Sequence, residues 1–182
     1  AQHYYGCITA MDEQVGRLRG ELRKLSAAEN PRLFFCSDNG PEGQAGNAPG
    51  SAGHLSGRKR SLLEGGIRVP GLVEWPARIK PDRTTNIPCV TNDYLPTILA
   101  LLGVEPVSDR PIDGISLVPL FDGKLAKRGR PIGFESKGQT AWIGDRYKLY
   151  SNGKAKGTPK LFDLIADPSE NQDLAKREPG LA

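Results

Sequence analysis

The chain has 182 residues, 37% of them hydrophobic and 25% charged, an ordinary globular composition with enough length to bury one sound core. Its net charge is +4, yet 25 Lys and Arg are scattered among 21 Asp and Glu rather than gathered with aromatics into a basic stripe, which argues against a nucleic-acid partner. No apolar run approaches the length of a bilayer span, so no membrane partner is expected, and the three cysteines show neither metal-ligand spacing nor an even disulfide set.

Ile8, Met11, Val15, Leu18, Leu22 and Leu25 recur at spacings of three and four, which predicts an amphipathic helix over residues 4 to 25 with its apolar stripe on a sheet. Asn30-Pro31 breaks that pattern, and Arg32 to Ser37 reads as a buried strand carrying Leu33, Phe34, Phe35 and a small apolar Cys36. Residues 40 to 58, rich in Gly, Ala, Pro and Ser, form a loop too long for an idle connection. Ile67 to Trp75 contains the next strand, with Trp75 read as core. A short helix follows over residues 92 to 102, with Thr91 or Asn92 as N-cap, Pro96 near its first turn and Gly103 as its stop. From Arg130 the pattern changes to brief strands near 131–135, 140–143, 147–150 and 161–164, where Trp142 again reads as core or substrate rim. The boundary between the two patterns falls near residue 125, giving units of 1–125 and 126–182, and Ser169 onward begins a final helix that Pro179-Gly180 interrupts.

Two stretches carry candidate chemistry. Phe34-Phe35-Cys36-Ser37-Asp38-Asn39-Gly40 ends an apolar strand in two hard oxygen ligands, at the strand edge where open α/β folds bind ligands. Lys59, followed five residues later by Glu64-Gly65-Gly66, returns a cation toward that edge. An oxygen-ligated divalent cation and a fixed ammonium together suit a tetrahedral oxyanion ester, sulfate and phosphate alike. Taken alone, Asp-Asn-Gly is also ordinary turn chemistry, and Lys59 one more solvated cation between Arg58 and Arg60.

These stretches resemble the second half of the sulfatase family, calcium-dependent hydrolases whose nucleophile is a formylglycine made from Cys or Ser. The resemblance runs from Met11-Asp12-Glu13-Gln14-Val15-Gly16 through Ser37 to Gly40, Lys59 to Gly66 and Trp75-Pro76. It continues through Asp93-Tyr94-Leu95-Pro96-Thr97 and Asp113 to Leu117, ending in Tyr147-Lys148-Leu149 and Leu161-Phe162-Asp163-Leu164. It implies an α/β fold: the carboxyl-terminal part of an alkaline-phosphatase-like α/β sandwich, followed by a small antiparallel sheet. It further implies that Asp38 and Asn39 ligate calcium, that Asp38 orients or deprotonates the nucleophile, and that Lys59 contacts the substrate sulfate. His54, in the loop before Lys59, becomes a candidate substrate-binding residue, whereas His3 reads as surface. Glu64 is expected to hold its loop by hydrogen bonds, and Gly65 and Gly66 to supply torsions closed to other residues.

The family's Cys/Ser-x-Pro/Ala-x-Arg nucleophile signature begins at none of Cys7, Cys36 and Cys89, nor at a serine. With Ala1 first and its only methionine at position 11, the chain reads as a piece of a longer reading frame whose formylglycine lies upstream, and is expected to be inactive alone. The resemblance implies an aryl or carbohydrate sulfate ester as substrate and an extracytoplasmic location; it does not specify the oligomeric state. Two rivals stay open: a phosphodiesterase or phosphonate hydrolase of the same superfamily, and a non-catalytic scaffold or binding module.

Overall fold

A computed structural model describes residues 2–43, 49–106, 110–153 and 158–181. The first helix, α1 (Gln2–Lys24), forms where the three-and-four spacing requires it, but none of its residues is buried. Ile8, Met11 and Leu18 are exposed, contrary to the expectation that this stripe lies on a sheet. Among the described residues the nearby sheet has only two strands, too narrow a surface to cover a helix of 23 residues. Arg19 ties α1 to Glu74 at 2.8 Å, an exposed pair of small energetic weight.

Strand β1 (Leu33–Cys36) pairs antiparallel with β2 (Gly71–Glu74), Phe34 opposite Val73 and Cys36 opposite Gly71. Both are shorter than expected. Between them Glu64–Ile67 closes a single turn, α2, so Ile67 is helical rather than the start of a strand. A 3-10 turn (Thr91–Asp93) leads into α3 (Tyr94–Leu102), and α4 (Val118–Phe121) follows. The residue that satisfies the turn's amino end is Asp93, whose carboxylate accepts the Val90 N–H at 2.8 Å, rather than Thr91 or Asn92. Gly103 stops α3 at φ 64°, as its position predicts. Around these elements Trp75, Leu117, Leu120 and Phe121 form the core, with Phe34, Val73 and Ile115 packed against it. Trp75 meets Phe121 edge to face at 6.1 Å, and its indole N–H donates to Asn30 Oδ1 at 2.7 Å.

The four later strands, β3 (Ile132–Ser136), β4 (Gln139–Ile143), β5 (Tyr147–Ser151) and β6 (Lys160–Asp163), make one antiparallel sheet in chain order, within two residues of the expected bounds. Ile132, Ala141, Ile143 and Phe162 are buried, while Trp142, from the opposite face, is 57% exposed. It packs over Gly133, where an added Cβ would come within 3.0 Å of the indole. Trp142 is therefore a surface residue, not core. Among the described residues after β6 there is no helix; the chain instead runs beside that strand, the Leu174 N–H donating to Leu161 O at 2.8 Å.

Two buried ionic clusters join the elements. Arg128 and Asp93 form one, with side chains 1% and 0% exposed. The other holds Lys148 of β5 between Glu64 of α2 at 3.0 Å and Glu170 at 2.8 Å.

Candidate active site

The site begins with three glycines. Gly40 follows Asp38-Asn39, and its N–H donates to Gly66 O at 2.9 Å. A Cβ at Gly40 would collide with the Gly65 carbonyl, one at Gly65 with the Gly57 carbonyl, and one at Gly66 with the Ser61 carbonyl. Gly65 and Gly66 are thus required for close backbone approach, not for unusual torsions; neither has a positive φ. This backbone contact fastens the Asp-Asn turn to the loop that carries Lys59. On the other side of the turn, Ser37 N–H donates to Pro70 O at 3.2 Å, and Lys59 N–H to Pro41 O at 3.1 Å.

Asp38 is exposed and Asn39 half-buried at the carboxyl end of β1. Asn39 Nδ2 donates to Asp38 Oδ1 at 3.3 Å and to Gly40 O at 3.1 Å. With the amide nitrogen committed to the protein, Asn39 Oδ1 and Asp38 Oδ2 accept no hydrogen bond among the described residues. Both are hard oxygens of the kind calcium selects, so the pair fits as part of a calcium site. No group of three or more His, Cys, Asp and Glu among the described residues could hold a metal ion.

Lys59 is half-buried, and its Nζ lies 3.3 Å from Glu42 Oε2. Arg60 pairs with the other oxygen of the same carboxylate. Chiefly through that Arg60 hydrogen bond, with the Gly43 N–H and Lys59 adding to it, the Glu42 carboxyl is pulled down to about 2. Arg58 donates to the carbonyls of Glu42 at 2.9 Å and Gly50 at 3.1 Å, stapling the two ends of the loop. A cleft of about 350 Å³ opens beside these groups, walled by Tyr4, Ser37, Asn39, Gly40, Leu55 and Arg68. His54 is exposed next to Leu55 and is not in that wall, and His3 is exposed on α1.

Sequence reasoning assigned no role to Glu42, Arg68 or Tyr4. Arg68 was within reach, since it closes the Glu64-to-Pro70 motif; it lies 3.8 Å from Glu64 and brings a cation to the cleft wall. Glu42 and Tyr4 carry no local signal. The cleft wall holds the Asn39 amide and the Arg68 guanidinium; Asp38, bonded to Asn39, and Lys59, paired with Glu42, are not in that wall. An amide oxygen and a cation with a carboxylate next in sequence suit an anionic tetrahedral group beside a divalent cation.

The core around β1, β2, α3 and α4, with a separate antiparallel sheet, is an α/β alkaline-phosphatase-like fold. A Sulfatase family model matches residues 1–104, and a model described as N-sulphoglucosamine sulphohydrolase, C-terminal, matches residues 53–179. The chain belongs to the sulfatase family. It is 30% identical to rat (Rattus norvegicus) arylsulfatase G, over 97% of this chain and 39% of that protein. To pig (Sus scrofa) N-acetylgalactosamine-6-sulfatase it is 38% identical, over 69% of this chain and 24% of that one. The crystal structure of Ps i-CgsB in complex with k-i-k-neocarrahexaose superposes with a TM-score of 0.82 at 29% identity, covering 98% of this chain and 40% of that chain. The chain thus spans two fifths or less of the length of these relatives.

Proposed function

We propose that this chain forms part of a longer sulfatase that hydrolyses a carbohydrate sulfate ester to an alcohol and inorganic sulfate. The observation that carries the reading is the glycine contact that fastens the Asp38-Asn39 turn to the Lys59 loop inside the segment matched by the sulfatase model. A carbohydrate sulfate is favoured over an aryl sulfate by the kinship to N-acetylgalactosamine-6-sulfatase and to a protein solved with a carrahexaose. An extracytoplasmic location belongs to the same reading. Among the described residues no helix is long and apolar enough to cross a membrane.

In this mechanism Asp38, by its carboxylate, and Asn39, by its amide carbonyl, would hold calcium. Calcium, when bound, supplies a fixed positive charge beside the sulfate oxygens. Asp38 also orients the attacking group, a formylglycine outside these 182 residues, and can accept its proton. Lys59 leaves Glu42 for the sulfate, where its ammonium stabilises charge building on oxygen as the S–O bond breaks. Arg68, in the cleft wall, supplies a further cation for the sulfate.

In the full-length protein, Lys59→Ala is expected to lower kcat/KM for a sulfated oligosaccharide by about 10²- to 10³-fold, as for the loss of one oxyanion contact. A change of less than threefold would remove Lys59 from the substrate. Running the same assay on the matched phosphate ester separates a sulfatase from a phosphohydrolase of the same fold.

Calcium affinity gives an independent check. Asp38 and Asn39 supply one formal charge and too few of the roughly 6 to 8 oxygens that calcium takes. Calorimetry on this chain alone is therefore expected to show no saturable site tighter than about 10⁻⁴ M. A stoichiometric tight site abolished by Asp38→Ala would mean that the chain completes its own cage.

A further inference from the structure

Arg60, the residue after Lys59, holds a left-handed backbone at φ 76°. A residue with a Cβ rarely adopts that region, and it persists where surrounding contacts over-determine it. The contact here comes from 79 residues further along the chain. Gln139, at the first position of β4, donates from Nε2 to Arg60 O at 2.8 Å and accepts the Leu62 N–H on Oε1 at 3.2 Å. A backbone carbonyl can only accept and a backbone N–H can only donate, so the amide has one workable orientation. Tyr150 fixes it further, its hydroxyl donating to Oε1 at 3.1 Å. Burial, and the charge of Glu170 nearby, push the Tyr150 hydroxyl up, which keeps it a donor.

One side-chain amide therefore grips the loop on both sides of Ser61, immediately beyond Lys59. The loop's far end is held separately, the Glu64 N–H donating to Glu170 Oε2 at 2.6 Å and Lys148 bridging Glu64 and Glu170. Without Gln139, the Arg60 carbonyl and the Leu62 N–H lose their shared partner, and the strained peptide next to Lys59 loses that restraint.

We infer that Gln139 is a positioning residue for Lys59, clamping the strained Arg60 peptide and with it the backbone from which the ammonium extends. This rests on the reading in which Lys59 contacts the sulfate. Gln139 touches no reacting atom, so its effect must pass through Lys59.

A double-mutant cycle in the full-length protein tests this. Gln139→Leu keeps the side chain's bulk and deletes both hydrogen bonds to the loop, along with the one from Tyr150; alone it is expected to lower kcat/KM by about tenfold to a hundredfold, as for a catalytic group misplaced by a fraction of an ångström. On a Lys59→Ala background the same change is expected to cost less than about twofold, because the group it positions is gone. If Gln139→Leu costs the same factor with and without Lys59, its role is general and the proposal is overturned. If Lys59→Ala alone leaves kcat/KM unchanged, it is the sulfate-contact reading that falls. Hydrogen exchange gives a readout free of activity: the Leu62 amide is expected to exchange faster in Gln139→Leu, and unchanged protection would overturn the clamp. Should Gln139→Leu fail to fold, Gln139→Glu carries the same cycle, keeping the acceptor for Leu62 while losing the donor to Arg60.

Discussion

Replacing Asp38 with alanine in the full-length protein is expected to lower kcat by about 10³-fold or more, with the folded structure intact. Two losses coincide at this residue. A charged ligand leaves the calcium site, and the group that orients the nucleophile and takes its proton disappears, a role worth about 10²- to 10⁴-fold by itself. The structure gives a reason to expect little structural damage. Asp38 is exposed, and its one side-chain hydrogen bond among the described residues is the 3.3 Å bond from Asn39. Asn39 keeps its bond to Gly40 O, and the Gly40 to Gly66 contact is made by backbone alone. Metal content by atomic absorption and kcat on a sulfated oligosaccharide check the result together. Near-normal values of both would remove Asp38 from the site, and loss of calcium with kcat retained would separate its two roles.

What the sequence revealed of the molecule followed the range of the forces involved. The small sheet was legible because its signals are local: alternation along each strand, and turn residues that accept positive φ. Lys137 and Gly138, at φ 50° and 78°, make the β3–β4 turn of the kind that matches strand twist. Asp38, Asn39 and Lys59 stood out because each sits in a motif at a strand edge or before a glycine pair. The uncovered stripe of α1 was not legible, since a three-and-four pattern states that a face is apolar and not what covers it. Gly65 and Gly66 were correctly marked and wrongly explained, because a collision with a carbonyl distant in sequence leaves no trace in the local pattern. Glu42 and Gln139 matter only through what the fold brings to them. Arg128 is another such case, reaching back 35 residues to Asp93.

Breaking that pair is expected to produce the largest loss of stability in the chain. Arg128 forks onto Asp93 with bonds of 2.7 and 2.8 Å, both side chains buried. Asp93 also accepts the N–H groups of Val90 and Ile115, each at 2.8 Å, and Arg128 Nε donates to Arg130 O at 2.7 Å. The pair is thus the joint between the start of α3, the segment leading to α4 and the lead into the small sheet. A buried pair can be no better than a well-packed apolar substitute, but removing one member strands the other charge away from water. Arg128→Ala is therefore expected to cost about 3–5 kcal/mol. Against a typical domain stability of about 5–15 kcal/mol, that brings the fold near its limit. Arg128→Lys is expected to recover little, because a point charge cannot make the two parallel bonds or reach Arg130 O and Pro88 O as the guanidinium does. The double change Arg128→Met with Asp93→Leu removes both charges, and urea melts are expected to find it more stable than either single variant. If the double variant is instead as unstable as the sum of the two singles, the hydrogen bonds Asp93 makes to Val90 and Ile115 outweigh its pairing with Arg128, and the carboxylate acts first as a cap for its own turn.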